Sequence, residues 1–368
     1  MRKRNEKTRW ILTGTLIAAS MIFLPAISWA DSIRIGAILS LSGNSSANGQ
    51  SVRDGILLAV DEVNKRGGVN GNRLEMIIED SKSDPQAAVE AFKRIESTRP
   101  PLFYTSFLSN VGVALAPLAD ENKVVLVGLV TSALAFTRGH EMVYRYWPLA
   151  QADIGPALRI LQDLKVKKLG ILYSNEEYGT EEQKLLANAF EGTGGSVIRQ
   201  SFELDTKDFS GQIKSLMGQD AIYTATLGSN LTTSIVQLKG AGYRGQVVMP
   251  SSGASPAFFA MPEMQGVYLI APVIYNPRYL FAREASDRFT ARYQKPFNHW
   301  SAAGYDFIKL TAGLLEDQPV SRKSLQDLLA AGFEYSGVFG HIVVRPGGHE
   351  MSFPLSAAQI VDNALKFR

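Results

Sequence analysis

GQSVRDGILLAVDEVNKRGGVNGNRLEMIIEDSKSDPQAAVEAFKRI, from Gly49 to Ile95, decides how the chain is read. Val52, Ile56, Leu57, Val60 and Val63 recur at helical spacing, with Arg53, Asp54, Asp61, Glu62 and Lys65 on the other face. Such a stripe predicts an amphipathic helix lying on a core, and Gly67-Gly68 ends it. Leu74 to Ile78 then reads as a short strand buried on both faces of a parallel sheet. Asp84-Pro85 opens a second helix, with Asp84 as its cap and Pro85 where a missing N–H costs nothing. The apolar run Ile33 to Leu39 stands in front. Strand, helix, strand, helix is the order of a parallel α/β sheet.

Upstream, Arg2, Lys3, Arg4, Lys7 and Arg9 form a basic start, Ile11 to Leu24 an apolar run, and Ser28-Trp29-Ala30 a small-x-small cleavage site. These are the parts of a secretory signal peptide, residues 1–30. The apolar run is shorter than the roughly 20 residues that a membrane span needs. A mature chain is expected to begin near Asp31. The sequence has no cysteine, hence no thiol for a lipid anchor and no disulfide. Of the 38 basic and 35 acidic residues, the signal holds five and one, so 33 against 34 remain. Without a concentrated basic stripe, a nucleic-acid partner is not expected. The roughly 338 residues that remain exceed what one hydrophobic core usually holds, so two domains are expected.

Leu102-Phe103-Tyr104 reads as a brief strand, followed by a loop through Asn110 and a helix through Val113, Leu115 and Leu118. Val124 to Val127 is a buried strand running into Gly128 to Ser132. Between Tyr144 and Ile154 the chain crosses to a second lobe, with helices at Ile154–Leu164, Thr180–Phe190 and Leu231–Leu238 and one through Ile213 and Leu216. Its strands are Leu169–Tyr173, Val197-Ile198, Ala221–Tyr223, Val247–Met249 and Val267–Ile270. It returns near Ala271 to Pro277 for helices at Glu284–Tyr293, Ser301–Leu314 and Lys323–Ala331 and a strand at His341–Val344, and Phe353–Val361 crosses back. The expected fold is α/β, two doubly wound parallel-sheet lobes joined by a three-strand hinge. Residues 31–148 and 273–345 form lobe one, and residues 149–272 and 346–368 lobe two. Such a hinge permits opening and closing.

Asn64 before a Gly-Gly-x-x-Gly turn, a strand ending in Asp80 and the Asp84-Pro85 helix start occur in one order. In combination they resemble periplasmic solute-binding proteins of the leucine/isoleucine/valine-binding type, the type I periplasmic binding fold of ABC importer receptors. Glu177-Tyr178-Gly179, Asp208-Phe209-Ser210, Gly240-Ala241-Gly242-Tyr243 and Tyr305-Asp306 extend the resemblance over nearly the whole mature chain. It implies a periplasmic monomer that captures a small organic ligand between its lobes and hands it to an inner-membrane ABC permease, with no cofactor. A sensor subunit, or a carrier of hydrophobic, lipid-like molecules, would share this fold.

In the amino-acid-binding members, lobe one offers hydroxyls and backbone N–H groups to the ligand carboxylate. By spacing, those positions fall on Ser109 and on Val130, Thr131 and Ser132; free amides at a helix start suit an anion. Capping of helices is the alternative role for Ser109 and Thr131. Where the family places a tyrosine and a glutamate for the ligand ammonium, this chain has Leu227 and Ser251. Neither carries a charge, and a buried ammonium without a carboxylate is poorly compensated. A standard branched-chain amino acid is therefore not the expected ligand, unless Glu176 or Glu177 swings in. A carboxylate without an amine, an amide or an apolar or aromatic compound fits better. Tyr178 and Trp300 match aromatic pocket positions and Phe107 flanks Ser109, although packing would also explain Phe107 and Trp300. Asn48, in the loop after the first strand, stands where an aromatic wall is common. Tyr275, Tyr279 and Phe281 are expected to pack the hinge.

No enzyme is expected. The chain has no Gly-x-Ser-x-Gly elbow, dinucleotide loop or Walker loop. His140, His299, His341 and His349 lack metal-ligand spacing, so no metal is expected. His299, beside Trp300, reads as a solvated loop histidine. Glu79-Asp80 and Glu176-Glu177 are adjacent acids pointing opposite ways, which makes poor acid/base partners.

Overall fold

The computed structural model describes residues 32–276 and 278–368; the signal peptide expected at residues 1–30 lies outside the described residues. The chain begins with β1 (Ser32–Leu39), α1 (Ser46–Lys65), β2 (Arg73–Asp80), α2 (Pro85–Thr98), β3 (Phe103–Ser106), α3 (Ser109–Glu121), β4 (Val125–Gly128) and β5 (Val143–Arg145). These strands form one parallel sheet in the order β2-β1-β3-β4-β5. Next come α4 (Gln151–Asp163), β6 (Lys168–Ser174), α5 (Glu177–Glu191), β7 (Ser196–Phe202), α6 (Ser210–Leu216), β8 (Ala221–Ala225), α7 (Gly228–Gly240), β9 (Gln246–Met249), α8 (Pro256–Phe259) and β10 (Tyr268–Pro272). The last part holds α9 (Leu280–Tyr293), α10 (His299–Leu314), α11 (Arg322–Ala331), the hairpin β11 (Phe333–Gly337) and β12 (Gly340–Val344), then β13 (Leu355–Val361) and β14 (Ala364–Phe367). The second sheet runs β14-β13-β10-β9-β8-β6-β7, its first two strands antiparallel additions to a parallel five. Both lobes thus repeat one winding order, whose direction reverses beside β1 and beside β6.

The local structure follows from the residues that open and close each element. Asp84 accepts a 2.8 Å hydrogen bond from Ala87 N–H, and Pro85 starts α2. Asn64 clamps the turn after α1: its side chain donates to Leu74 O and accepts from Leu74 N–H. The central strand β4 is buried along its length, as a strand covered on both faces requires. β2 differs from the expectation. It is an edge strand, so Leu74 and Ile77 are buried while Met76 and Ile78 are only half-buried.

β5, β11 and β14 carry no apolar run long enough to mark them in the sequence, and β5 ends on the fully buried Arg145. His349 O accepts from Arg145 N–H and Met351 N–H donates to Arg145 O, so residues 349–351 pair with the first sheet before β13 enters the second. Within the first lobe, buried Asp306 accepts from the hydroxyls of Tyr146 (2.7 Å) and Tyr335 (2.6 Å), joining β5, α10 and the hairpin. Burial raises its carboxyl above the usual range, against those hydrogen bonds.

α1 and α10 lie so close that side chains have no room between them. A Cβ on Gly55 would stand 1.9 Å from Ser301 O, and one on Gly304 would stand 2.4 Å from Val52 O. Both obstacles are backbone, so the helices themselves would have to part. Gly55→Ala is expected to cost about 1–3 kcal/mol in urea unfolding, the usual range for overpacking. Gly313→Ala, in open space at the far end of α10, should instead stabilise by up to about 1 kcal/mol through helix propensity.

Candidate functional site

In open α/β sheets the carboxyl ends of strands at the reversal point form the ligand crevice. In lobe one these ends lead into Phe107 to Ser109 and Leu129 to Ala133. Ser109 is the first residue of α3, not a loop residue, and it is no cap: Leu108 precedes the helix, at φ +80°. The Ser109 hydroxyl accepts from Ala133 N–H (3.2 Å), tying the two strand exits together. The Thr131 hydroxyl donates to Leu108 O (3.3 Å).

Three of the loop's carbonyls, those of Thr131, Ser132 and Ala133, are engaged. Arg145, fully buried, donates to Thr131 O, to Ala133 O (2.9 Å), to the Thr137 hydroxyl (3.1 Å) and to Glu350 Oε2 (2.6 Å). Ala150 N–H donates to Ser132 O (3.0 Å). The N–H groups of Val130, Thr131 and Ser132, all nearly or fully buried, find no protein partner among the described residues. Burial lowers the Arg145 pKa and Glu350 works against that fall.

Across the seam, Glu176 caps α5, accepting from Tyr178 N–H, Gly179 N–H and the Ser174 hydroxyl at 2.8 to 2.9 Å. It does not swing in, and Glu177 is exposed. Tyr178 is buried, its hydroxyl 3.4 Å from Ser252 Oγ. Ser251 turns to an acid that sequence reasoning missed: its N–H (2.9 Å) and hydroxyl (3.0 Å) both donate to Asp153 Oδ2. Asp153 Oδ1 is buried without a partner. Glu182, also missed, accepts from the Tyr223 hydroxyl (2.6 Å) and leaves Oε2 unpartnered. Tyr178, Glu182, Leu186 and Phe190 share the buried face of α5, so an acid inside an apolar stripe was the available signal. Burial raises both carboxyls, Asp153 to about 7 and Glu182 well above its ordinary value.

Leu227 is half-buried before α7 and meets Ser109, Asn44, Ser45 and Glu176 around a narrow inner space of about 20 Å³. Asn48 lies in α1, not in a loop, and lines an outer cleft of about 660 Å³ with Lys82, Asp205, Lys207 and Ser229. The lobes touch: Leu134 N–H donates to Glu181 Oε2 (2.6 Å), and the Ser229 hydroxyl donates to Asn44 Oδ1.

Trp300 is buried, stacked on Trp147 at 5.7 Å and met edge-on by Phe107 at 6.0 Å, so both serve packing; the Trp300 indole N–H has no partner. His299 is fully buried in the first turn of α10, not solvated. Its Nδ1 stands 2.6 Å from the Tyr275 hydroxyl, which also donates to Ala254 O, and burial drops its pKa to about 3. Tyr275 therefore packs the crossing, and Tyr279 bonds Gly337 O, but Phe281 is 60% exposed and meets only the edge of that region, its ring 5.9 Å from that of Tyr279. Among the described residues, no three His, Cys, Asp or Glu gather where a metal could be held, and no helix is long and apolar enough to cross a membrane.

A family model described as "Periplasmic binding protein" matches residues 32–364. The Leu/Ile/Val-binding protein BraC3 of Rhizobium johnstonii is 32% identical over 207 residues, 54% of each chain, so this chain spans about half of that relative. Leu/Ile/Val-binding protein homolog 7 of Brucella abortus is 26% identical over 312 residues, 79% of this chain and 77% of the relative. Among solved structures, a leucine binding protein LivK from Thermotoga maritima superposes with a TM-score of 0.82 at 22% identity, covering 91% of this chain and 97% of that one. A solute binding protein from R. palustris in complex with benzoate gives 0.84 at 17% identity, covering 91% and 95%. At these identities the two structures establish likeness of fold.

Asp153 makes stability depend on pH. Its folded pKa, about 7, lies above an unfolded value of about 3.9. Between these values the unfolded chain ionises while the folded one does not, so folding weakens as pH rises, by about 1.4 kcal/mol per unit at most. Asp153→Asn should remove that loss. In urea unfolding it should be more stable relative to wild type at about pH 8 than at about pH 4.

Proposed function

This chain belongs to the periplasmic binding protein family, and we propose that it captures a small organic carboxylate between its lobes and delivers it to an inner-membrane ABC permease. One observation carries the ligand class: the unpartnered N–H groups of Val130, Thr131 and Ser132, gathered beside the Ser109 hydroxyl. Buried donors without partners are costly, by about 1–3 kcal/mol each. A carboxylate placed on them removes that cost and forms charge-assisted hydrogen bonds.

In this reading Tyr178 and the Asp153–Ser251 unit close over the ligand from lobe two, and Leu227 supplies an apolar contact. Neither Leu227 nor Ser251 gives a ligand ammonium its own charge, which disfavours standard branched-chain amino acids. Structurally similar proteins have been seen with isoleucine, benzoate and 3,4-dihydroxy benzoic acid, three compounds whose shared group is a carboxylate. Lobes of residues 31–148 with 273–345, and 149–272 with β13 and β14, would close about the three crossings; residues 349–351, expected in lobe two, pair with the first sheet instead. Residues 1–30 would direct export and be cleaved near Ala30, leaving a periplasmic monomer.

Thermal melting of the mature protein with benzoate, isocaproate, leucine and an uncharged amide tests this. A carboxylate at about 100 times its Kd should add roughly 2.7 kcal/mol. Removing two hydroxyls in Ser109→Ala/Thr131→Val should weaken its binding by about ten- to a hundredfold. Stabilisation by the amide alone would defeat the reading.

A further inference from the structure

Asp153 and Glu182 are carboxylic acids buried in lobe two, exposed by 2% and 0%; Asp153 lies in the first turn of α4, just after Ala150, whose N–H bonds Ser132 O of lobe one. Each spends one oxygen on a protein donor and leaves the other with none. The groups that face them are known from every side. From α5 come Tyr178 and Glu181, with Glu176 at its cap; from β8 comes Tyr223; from the loop after β9 come the uncharged Ser251 and Ser252. No cation is among them. The basic groups Arg145 and Arg138 act on Glu181. Two carboxylates so placed cannot both ionise, and they titrate as a pair.

We propose, resting on the carboxylate-capture reading above, that Asp153 and Glu182 form a proton-controlled selector. With its proton retained, the pair accepts a carboxylate whose body is uncharged; with Asp153 ionised, it favours one that carries a positive nitrogen. Glu182 stays protonated and is a positioning residue. It withholds a second negative charge, so that the free Asp153 oxygen is the one that meets the ligand. When an ammonium arrives at a protonated Asp153, the Asp153 proton leaves to solvent and the ammonium keeps its own.

The working range follows from burial, which holds the Asp153 carboxyl at about 7 and Glu182 well higher. Below that midpoint, preference for the amine-bearing ligand should rise with pH by up to tenfold per unit; above it, the preference should level. The selector thus explains how a site with an unpaired carboxyl oxygen can prefer amine-free carboxylates at neutral and acidic pH.

The test is isothermal titration of the full mature protein with leucine and with isocaproate, the same skeleton without the amine, from about pH 5.5 to pH 8. Neither compound titrates in that range. The ratio of their affinities should shift at least tenfold toward leucine in wild type, stay flat in Asp153→Asn, and keep its pH dependence in Glu182→Gln, which mimics a protonated acid. A flat wild-type ratio, or a pH dependence that survives in Asp153→Asn or vanishes in Glu182→Gln, overturns the selector.

A ligand-free carboxyl titration by carbon-13 NMR separates the two readings. If neither compound binds, the carboxylate reading fails. The selector then stands or falls on whether one carboxyl titrates near pH 7 in wild type and Glu182→Gln but not in Asp153→Asn.

Discussion

A guanidinium withdrawn completely from water must find protein oxygens for its N–H donors, and the four hydrogen bonds of Arg145 shape the strand-exit edge of lobe one. Its partners are two carbonyls and a hydroxyl within residues 131–137 and the carboxylate of Glu350. With those carbonyls held by Arg145, the neighbouring N–H groups of Val130, Thr131 and Ser132 are left without a protein partner among the described residues, the feature on which the proposed anion site rests. The same arginine joins the first lobe to the late segment through Glu350 and through backbone pairing at His349 and Met351. One buried cation thus sets both a local polarity and a long-range connection.

The positions proposed for an anion were legible as strand exits: the structure brings Ser109, at the start of α3, and Thr131 together at the ends of neighbouring strands. The fold was legible for a related reason: long helical stripes and capping residues such as Asp84 are local signals. What escaped reading depends on contacts far apart in the chain. Arg145 closes a three-residue strand, and nothing nearby in sequence says that it is buried. Asp153 reaches Ser251 across 98 positions, and His299 reaches Tyr275 across 24. The sheet edge explains the excess burial expected for β2, since membership of an edge is a property of the whole winding order.

In the proposed function the two lobes would meet a ligand with different physics. Lobe one presents preorganised donors held by backbone geometry, so their cost is met during folding. Lobe two presents acids whose charge is negotiable, because burial has moved them toward neutrality. In the proposed function the first arrangement would suit an anion at any ordinary pH. The second lets the surroundings alter what is asked of the rest of the molecule.

The close seating of α10 on α1 also dictates the order in which the chain can become native. Val52 and Ile56 have their cover only when Trp300 to Gly304, some 250 positions later, has arrived. The parallel part of the second sheet draws on a continuous stretch, residues 168–272, and needs no such wait. Made from the amino end, this protein therefore completes its middle before its beginning, and its earliest helix must remain unsealed until α10 has followed.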